Sequence, residues 1–520
     1  MNRRNAIQSG MILFVFACNS AVADSPRGED KMADRMVGMY VHQHWPYNHP
    51  YAARTWTVED WRGYAGGLKK IGYNTIMIWP MLEIMPDPLT PSDRSSLSKI
   101  GNVIDVLHDE LGMRVWIVIC PNVGVNSAEA RKATFEKRHF FYCDTRVNPG
   151  DAAALEKLVK WREKLMKPLA KIDGIAIIDS DPGGYPRSTN DEFVNLLGEH
   201  RKMLDRVRPG IELIYWMHAG WEAYARYYET GKLVLANDAE HQDAVDRLIK
   251  LNPAPWGIAN GLPYAEKRGI AAKVISFNYG RIEGEPSFPM TNFGGTSAYD
   301  GGKSPGPRGV MGNSQTHCVQ LPNTFAFARG AQGLPLAAAD YIRFANDLIP
   351  GHGPAIVDAW KALAGKDSAA MLKSADAMRD LSALKPAAGP LKGLLFNDPA
   401  RFCSDLVHML QMRAALEEFI AATDSGRPVK EPFRKFVQTS EKWQQVHGFQ
   451  NMWWDGRMYN ALVKLNSPSL KPVLEIRFDL TGTYDEARPA FHDVQANLAR
   501  IETYTVDMLA AMKAALKEMH

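Results

Sequence analysis

The sequence predicts an α/β chain: a (β/α)8 barrel of the TIM type followed by a mainly α-helical C-terminal domain. Two observations carry this. Between residue 36 and about 330, short β-rich apolar runs alternate with amphipathic helical stretches, the pattern of a parallel sheet wrapped by helices. After Gly333 the β signal mostly stops, and helical periodicity takes over.

Eight runs read as strands: Met36–Val41, Tyr73–Trp79, Arg114–Cys120, Gly174–Asp179, Glu212–Met217, Trp256–Asn260, Lys273–Tyr279 and Gly309–Asn313. Most are continuously apolar, as expected of strands covered on both faces. Thr57–Ile71, Ala152–Lys171 and Asp191–Val207 are helices between them, the first with Thr57 as N-cap and Asp60 three places on. Leu233–Ala236 is assigned to a helical connection, although it also has strand character. An open doubly wound sheet is the alternative, but no Gly-rich dinucleotide fingerprint follows the first strand; Val41-His42-Gln43-His44-Trp45-Pro46 stands there instead. Ala338–Leu348, Pro354–Ala364, Ser368–Leu381, Arg401–Thr423, Pro432–Gln445 and Val494–Met519 are the later helices, with breaks at Pro386–Pro390 and Ser467-Pro468. The domain expectation is a leader over 1–23, a barrel over 24–345 and a helical domain over 346–520.

Arg3 and Arg4, then apolar Met11–Ala17, then Ala21-Val22-Ala23 form a secretory signal peptide cleaved after Ala23. Periplasmic or extracellular location follows. Val15-Phe16-Ala17-Cys18 is close to a lipoprotein box, which keeps a lipid anchor at Cys18 as a lesser alternative. No later stretch has the ~18 unbroken apolar residues of an integral membrane segment. A net charge of +3 over 520 residues gives no reason to expect nucleic acid. Cys120, Cys143, Cys318 and Cys403 lack a C-x-x-C pair, so a structural zinc is not expected; export would permit a disulfide, and Cys120 equally suits a core thiol.

Barrel active sites sit at the C-terminal ends of the strands, which turns the strand runs into candidates. The fourth strand ends Asp179-Ser180-Asp181-Pro182-Gly183-Gly184, and the seventh runs into Tyr279-Gly280-Arg281-Ile282-Glu283-Gly284-Glu285. Carboxylates from these two ends face each other across a barrel mouth. Hydrolysis of a glycosidic bond needs such a pair, one to protonate the leaving oxygen and one to attack or to activate water. His42, His44, Trp79, Glu83, His218, Asn313 and Gln315 at other strand ends suit recognition of sugar hydroxyls. Arg138, His139 and Arg281 would add a cationic wall for an acidic sugar. His42 and His44 have no third ligand at helical spacing, so no metal is expected, and no cofactor is required. Trp453-Trp454-Asp455-Gly456-Arg457 either reaches over the mouth or, as preferred, forms the interface between the domains.

At these residues the chain resembles the barrel glycoside hydrolases. The placement of acids after strands four and seven is similar to clan A. That resemblance implies Asp181 as acid/base and Glu283 as nucleophile, although clan A has Asn-Glu where this chain has Ser180-Asp181. The exported barrel with a trailing helical domain also resembles exo-acting α-glucuronidases and hexosaminidase-like enzymes, which would pair Asp179 with Asp181. The expected function is an exported hydrolase acting on an oligo- or polysaccharide. The rivals are a non-catalytic glycan-binding protein and a lyase or other hydrolase using His and Tyr.

Overall fold

The structure is a computed structural model that describes residues 35–43, 47–125, 128–138, 145–178, 189–216, 246–247, 262–278, 281–282, 287–288, 295–314, 319–448, 453–454, 456–474 and 508–519. Seven of the expected runs form strands: β1 Met36–Val41, β2 Thr75–Ile78, β3 Arg114–Ile119, β4 Gly174–Ile178, β5 Glu212–Trp216, β6 Ile275–Asn278 and β7 Gly309–Ser314. They make one parallel sheet in the order β5-β4-β3-β2-β1-β7-β6. The run Trp256–Asn260 and the segment Leu233–Ala236 lie outside the described residues.

The sheet is curled. Laid flat, its edge strands β5 and β6 would stand about 29 Å apart, six spacings of ~4.8 Å. Instead the rings of Trp216 on β5 and Phe277 on β6 have centroids 4.0 Å apart. Tyr40 on the interior strand β1 meets both edge-on, each at 5.2 Å. At the opposite end Arg308, just before β7, donates from Nη2 to Glu212 Oε1 on β5 at 2.6 Å.

Register and the two-residue period of a strand then sort the side chains. Tyr40 pairs with Met77 on β2 and Asn313 on β7, and Met77 pairs with Trp116 on β3, so these four share the inner face. At two of the inner glycines a large neighbour takes the space. A Cβ on Gly38 would meet Met311 Sδ at 2.3 Å, and one on Gly174 would meet the Trp116 ring at 2.2 Å.

Helices cover the outer face. α1 Val58–Lys70, α2 Pro91–Asp105, α3 Ala152–Met166 and α4 Asn190–Val207 alternate with β1–β5, and α5 Gly295–Gly302 lies between β6 and β7. Thr57 and Asp60 close a full capping box on α1, as the sequence implies; Thr90 with Asp93 does the same for α2, and Thr189 with Glu192 for α4. Phe193 on α4 packs on outward Tyr215, ring centroids 5.3 Å apart.

After β7 the described chain is almost wholly helical: α6 Leu321–Ala331, α7 Ala338–Leu348, α8 Gly353–Ala364, α9 Ser368–Ala383, α10 Pro399–Ser425, α11 Lys430–His447 and α12 Gly456–Lys464, with a last helix over 508–518. This helical region docks on α1 through backbone: a Cβ on Gly63 would sit 3.3 Å from Gly393 Cα, and one on Gly393 would sit 2.0 Å from Gly63 O. Among the described residues no helix is long and apolar enough to cross a membrane.

Candidate functional site

All seven strands run the same way, so their C-terminal ends open on one mouth. The inner residues nearest that mouth include Tyr40, His42, Trp79, Ile178, Trp216, Phe277 and Asn313. Four are aromatic and make one connected floor: besides the contacts above, Tyr40 stacks on Trp79 at 6.5 Å. His42, one inner step beyond Tyr40, lies 4.1 Å from its ring and 6.4 Å from that of Trp79.

Asn313 is the polar exception in this floor. It is fully buried, and neither Oδ1 nor Nδ2 has a hydrogen-bond partner among the described residues. An amide left so costs the fold on the order of 1–3 kcal/mol, a cost that a bound hydroxyl-bearing ligand or a water offsets.

Glu83 follows β2 in a single 3-10 turn entered through Met81, a buried residue held at φ 59. A non-glycine residue in that region is strained, and the bend turns Glu83 back under the strand ends. Its Oε1 accepts from the Cys120 N–H at 2.6 Å and its Oε2 from the Trp79 indole at 3.1 Å. Arg162 on α3 stands 3.9 Å from Oε1, and its Nη2 donates to the carbonyls of Cys120, at 3.2 Å, and Val123. Burial pushes the Glu83 carboxyl above its ordinary value, while Arg162 and the donated hydrogen bonds pull it back. With no exposed surface, Glu83 braces Trp79 in the floor.

Arg138 is likewise buried. It pairs with Asp93 and donates to Ile84 O at 3.0 Å and Ala133 O at 3.1 Å, joining the loops after β2 and β3. Arg54 extends the same staple to the loop after β1, donating to the carbonyls of Gln43, Phe135 and Arg138. Burial lowers its guanidinium to about 9. Arg281 is exposed after β6 and donates from Nη1 to Ser297 Oγ on α5 at 3.0 Å.

Of the sequence candidates, the structure brings His42, Trp79 and Asn313 together on the inner face, with Glu83 beneath Trp79. It places Arg138 and Arg281 in separate contacts away from that floor. Asp179, Asp181, Glu283, Glu285, His44, His139, His218, Tyr279 and Gln315 lie outside the described residues. Among the described residues no group of three His, Cys, Asp or Glu is placed to hold a metal ion. Cys120 and Cys403 are buried thiols, the latter pushed up to about 12 by burial.

Sequence reasoning missed Arg162, though a signal was present. It falls among Leu155, Leu158, Val159, Leu165 and Met166 on the apolar face of α3, where a charge needs a buried partner. Tyr40, the centre of the floor, was hidden in a run that is apolar throughout.

No protein-family model matches the sequence, and no curated protein does. Among solved structures, the chain is similar to a GH138 enzyme targeting pectin rhamnogalacturonan II, at 9% identity and TM-score 0.45 over 86% of this chain and 68% of that one. It is similar to a GH20 catalytic module of the pneumococcal exo-β-D-N-acetylglucosaminidase StrH, at 9% and 0.37 over 73% and 99%. CpGH84B is similar at 11% and 0.40 over 78% and 72%. These three bear glycoside hydrolase designations, and at such scores the likeness assigns neither a residue nor a substrate.

Proposed function

We propose that the protein is an exported glycoside hydrolase acting on an oligo- or polysaccharide at the C-terminal mouth of the sheet. The observation that supports this best is the inner face at the mouth: linked aromatic rings around a buried amide, Asn313, with no partner for either end among the described residues. A neutral amide suits the hydroxyls of a sugar, and the buried rings are the packed interior beside it. In this reading Trp256–Asn260 supplies an eighth strand in the seam between β5 and β6, completing the barrel. Asp181 is the general acid/base and Glu283 the nucleophile, with Asp179 and Glu285 beside them; both pairs follow strands that end at this mouth. The leader is removed after Ala23, and the mature chain starts at Asp24.

Release of nitrophenol from a panel of aryl glycosides, and of new reducing ends from oligosaccharides, tests the reading. Release of reducing ends from oligosaccharides by the wild type that is lost in Asp181→Asn and Glu283→Gln supports it. Glycan binding without turnover, unchanged in both variants, would instead make the protein a glycan binder.

A further inference from the structure

At the end of the sheet away from the mouth lies a cleft of about 570 Å³, a size usual for small-molecule sites. One wall is Lys69–Gly72, which leads from α1 into β2 and so stands at the N-terminal ends of the strands. The other wall comes from α6 and α7, through Arg329, Asp340, Arg343 and Asp347. Gln332, just after α6, ties the two: its Nε2 donates to Ile71 O at 2.9 Å, and a Cβ on Gly72 would meet that nitrogen at 2.0 Å. The same bond covers a carbonyl at the end of α1, where the helix dipole would otherwise repel an anion.

The lining carries four cations against two carboxylates. Lys69 and Lys70 are exposed and donate to backbone carbonyls, those of Leu111 and, at 2.8 Å, Pro390. A carbonyl leaves the charge of an ammonium in place, and each ammonium has two further N–H groups to give. Asp340 is already engaged on three sides. It accepts from the Ala337 N–H at 2.7 Å, pairs with Arg343, and lies 3.6 Å from Arg329. One carboxylate between two guanidiniums leaves a positive charge on that wall as well. Lysines in the last turn of a helix need no ligand to explain them. A second cationic pair across a cleft from them concentrates positive potential in a concave site, which draws anions.

We propose that this cleft is a second, non-catalytic binding site for a small molecule with two negative charges, carried as a phosphate ester or as a pair of carboxylates. Lys69 and Lys70 hold it from one side, Arg329 and Arg343 from the other. Barrel chemistry takes place at the opposite end, so the ligand is held and not turned over, and the site stands apart from the hydrolase reading.

Isothermal titration of the full chain at about 0.02 M salt, where such charges are weakly screened, tests this. The probes are glucose 6-phosphate, digalacturonate and, as the uncharged control, cellobiose. One or both anions should bind and cellobiose should not, and the tighter anion identifies the head group. The double variant Lys69→Gln/Lys70→Gln keeps donors for the two carbonyls and should weaken binding at least ~10-fold. Asp347→Asn removes a repelling carboxylate and should tighten it about 2–5-fold, a gain that a purely structural role would not produce. Asn313→Leu should leave it unchanged. No heat from either anion up to ~10 mM, or equal affinity in the wild type and the double lysine variant, would overturn the site. Binding lost in Asn313→Leu and kept in the lysine variant would move it to the mouth and overturn it equally.

Discussion

Trp216 and Phe277 sit on the two edge strands of the sheet, yet their ring centroids are 4.0 Å apart. That contact makes the inner face a filled interior, since six strand spacings close to the width of two side chains. Tyr40 completes it by meeting both rings from the strand between.

Removing a ring from this centre should therefore be costly. Trp216→Ala deletes the ring that touches both Tyr40 and Phe277 and leaves a cavity that strands on either side cannot collapse to fill. A loss of about 3–5 kcal/mol is expected, and Trp216→Phe should cost less than half as much. Urea unfolding followed by far-UV circular dichroism measures it. A loss under about 1 kcal/mol would mean the rings pack loosely.

Asn313 should show the reverse trade. Asn313→Leu keeps the volume and removes an amide with no partner among the described residues, so the fold should gain about 1–2 kcal/mol. On the proposed reading the lost groups receive a sugar hydroxyl, and glycan turnover or binding should then fall at least ~10-fold. Melting temperature and kcat/KM on the same preparation check both halves. A destabilised variant with full activity would show that the amide serves the fold.

Much of the architecture was legible because barrel strands are covered on both faces and read as unbroken apolar runs. Met36–Val41 is a strand with those very ends, and Arg114–Cys120 is longer than its strand by a single residue. The same continuity hides which side chains face inward. Gly38 and Gly174 became intelligible only once register set them beside Met311 and Trp116. At Arg138 a cation after a strand read as a pocket wall, and its partner Asp93 lies 45 positions away, beyond any local pattern. Trp453–Trp454 posed the same difficulty, for the partner strand Ser287–Phe288 is set by topology alone.

Arg138 gives a prediction that separates the two roles. In Arg138→Ala the carboxylate of Asp93, fully buried and engaged in the α2 cap, loses its cation, which should cost about 3–5 kcal/mol. Arg138→Lys should recover little, since one ammonium cannot reach Asp93, Ile84 O and Ala133 O together. Denaturation midpoints test this. A stable Arg138→Ala that had lost only affinity for uronic acid glycans would restore the pocket role.

Glu83 predicts a pH dependence. Its carboxyl is raised in the folded chain, mainly by burial, above its ordinary value of 4.5. Between those two values the folded state holds a proton that the unfolded state has released. Stability contributed by this group is therefore greatest at low pH and falls as pH rises through the window. Asp405, also raised by burial, acts in the same sense from 3.8 upward. Depressed carboxyls such as Glu163 and Asp340 act oppositely, but only below their ordinary values of 4.5 and 3.8. Buried His200 and half-buried His408, both lowered from 6.5, add stability as pH rises, so the signal is the difference: from pH 4.5 upward wild type should lose stability relative to Glu83→Gln. Parallel curves would assign the slope elsewhere.

The proposed acids can be told apart by the leaving group. Asp181→Asn and Glu283→Gln keep shape while deleting charge and the ability to exchange the reacting proton. If they act as acid/base and nucleophile, each should cost at least ~100-fold in kcat on a natural linkage while substrate binding is largely kept. A nitrophenol leaving group needs little protonation, so it should partly rescue Asp181→Asn and leave Glu283→Gln inactive. Azide should restore turnover to truncated variants, Asp181→Ala or Glu283→Ala, where the missing carboxylate leaves room beside the anomeric carbon. Azide product of retained configuration would mark the acid/base, and inverted product the nucleophile. Near-normal activity in both variants would move the search to Asp179 and Glu285. Silence there too, on an active preparation, would leave the imidazoles His42, His139 and His218 as the groups that move the proton.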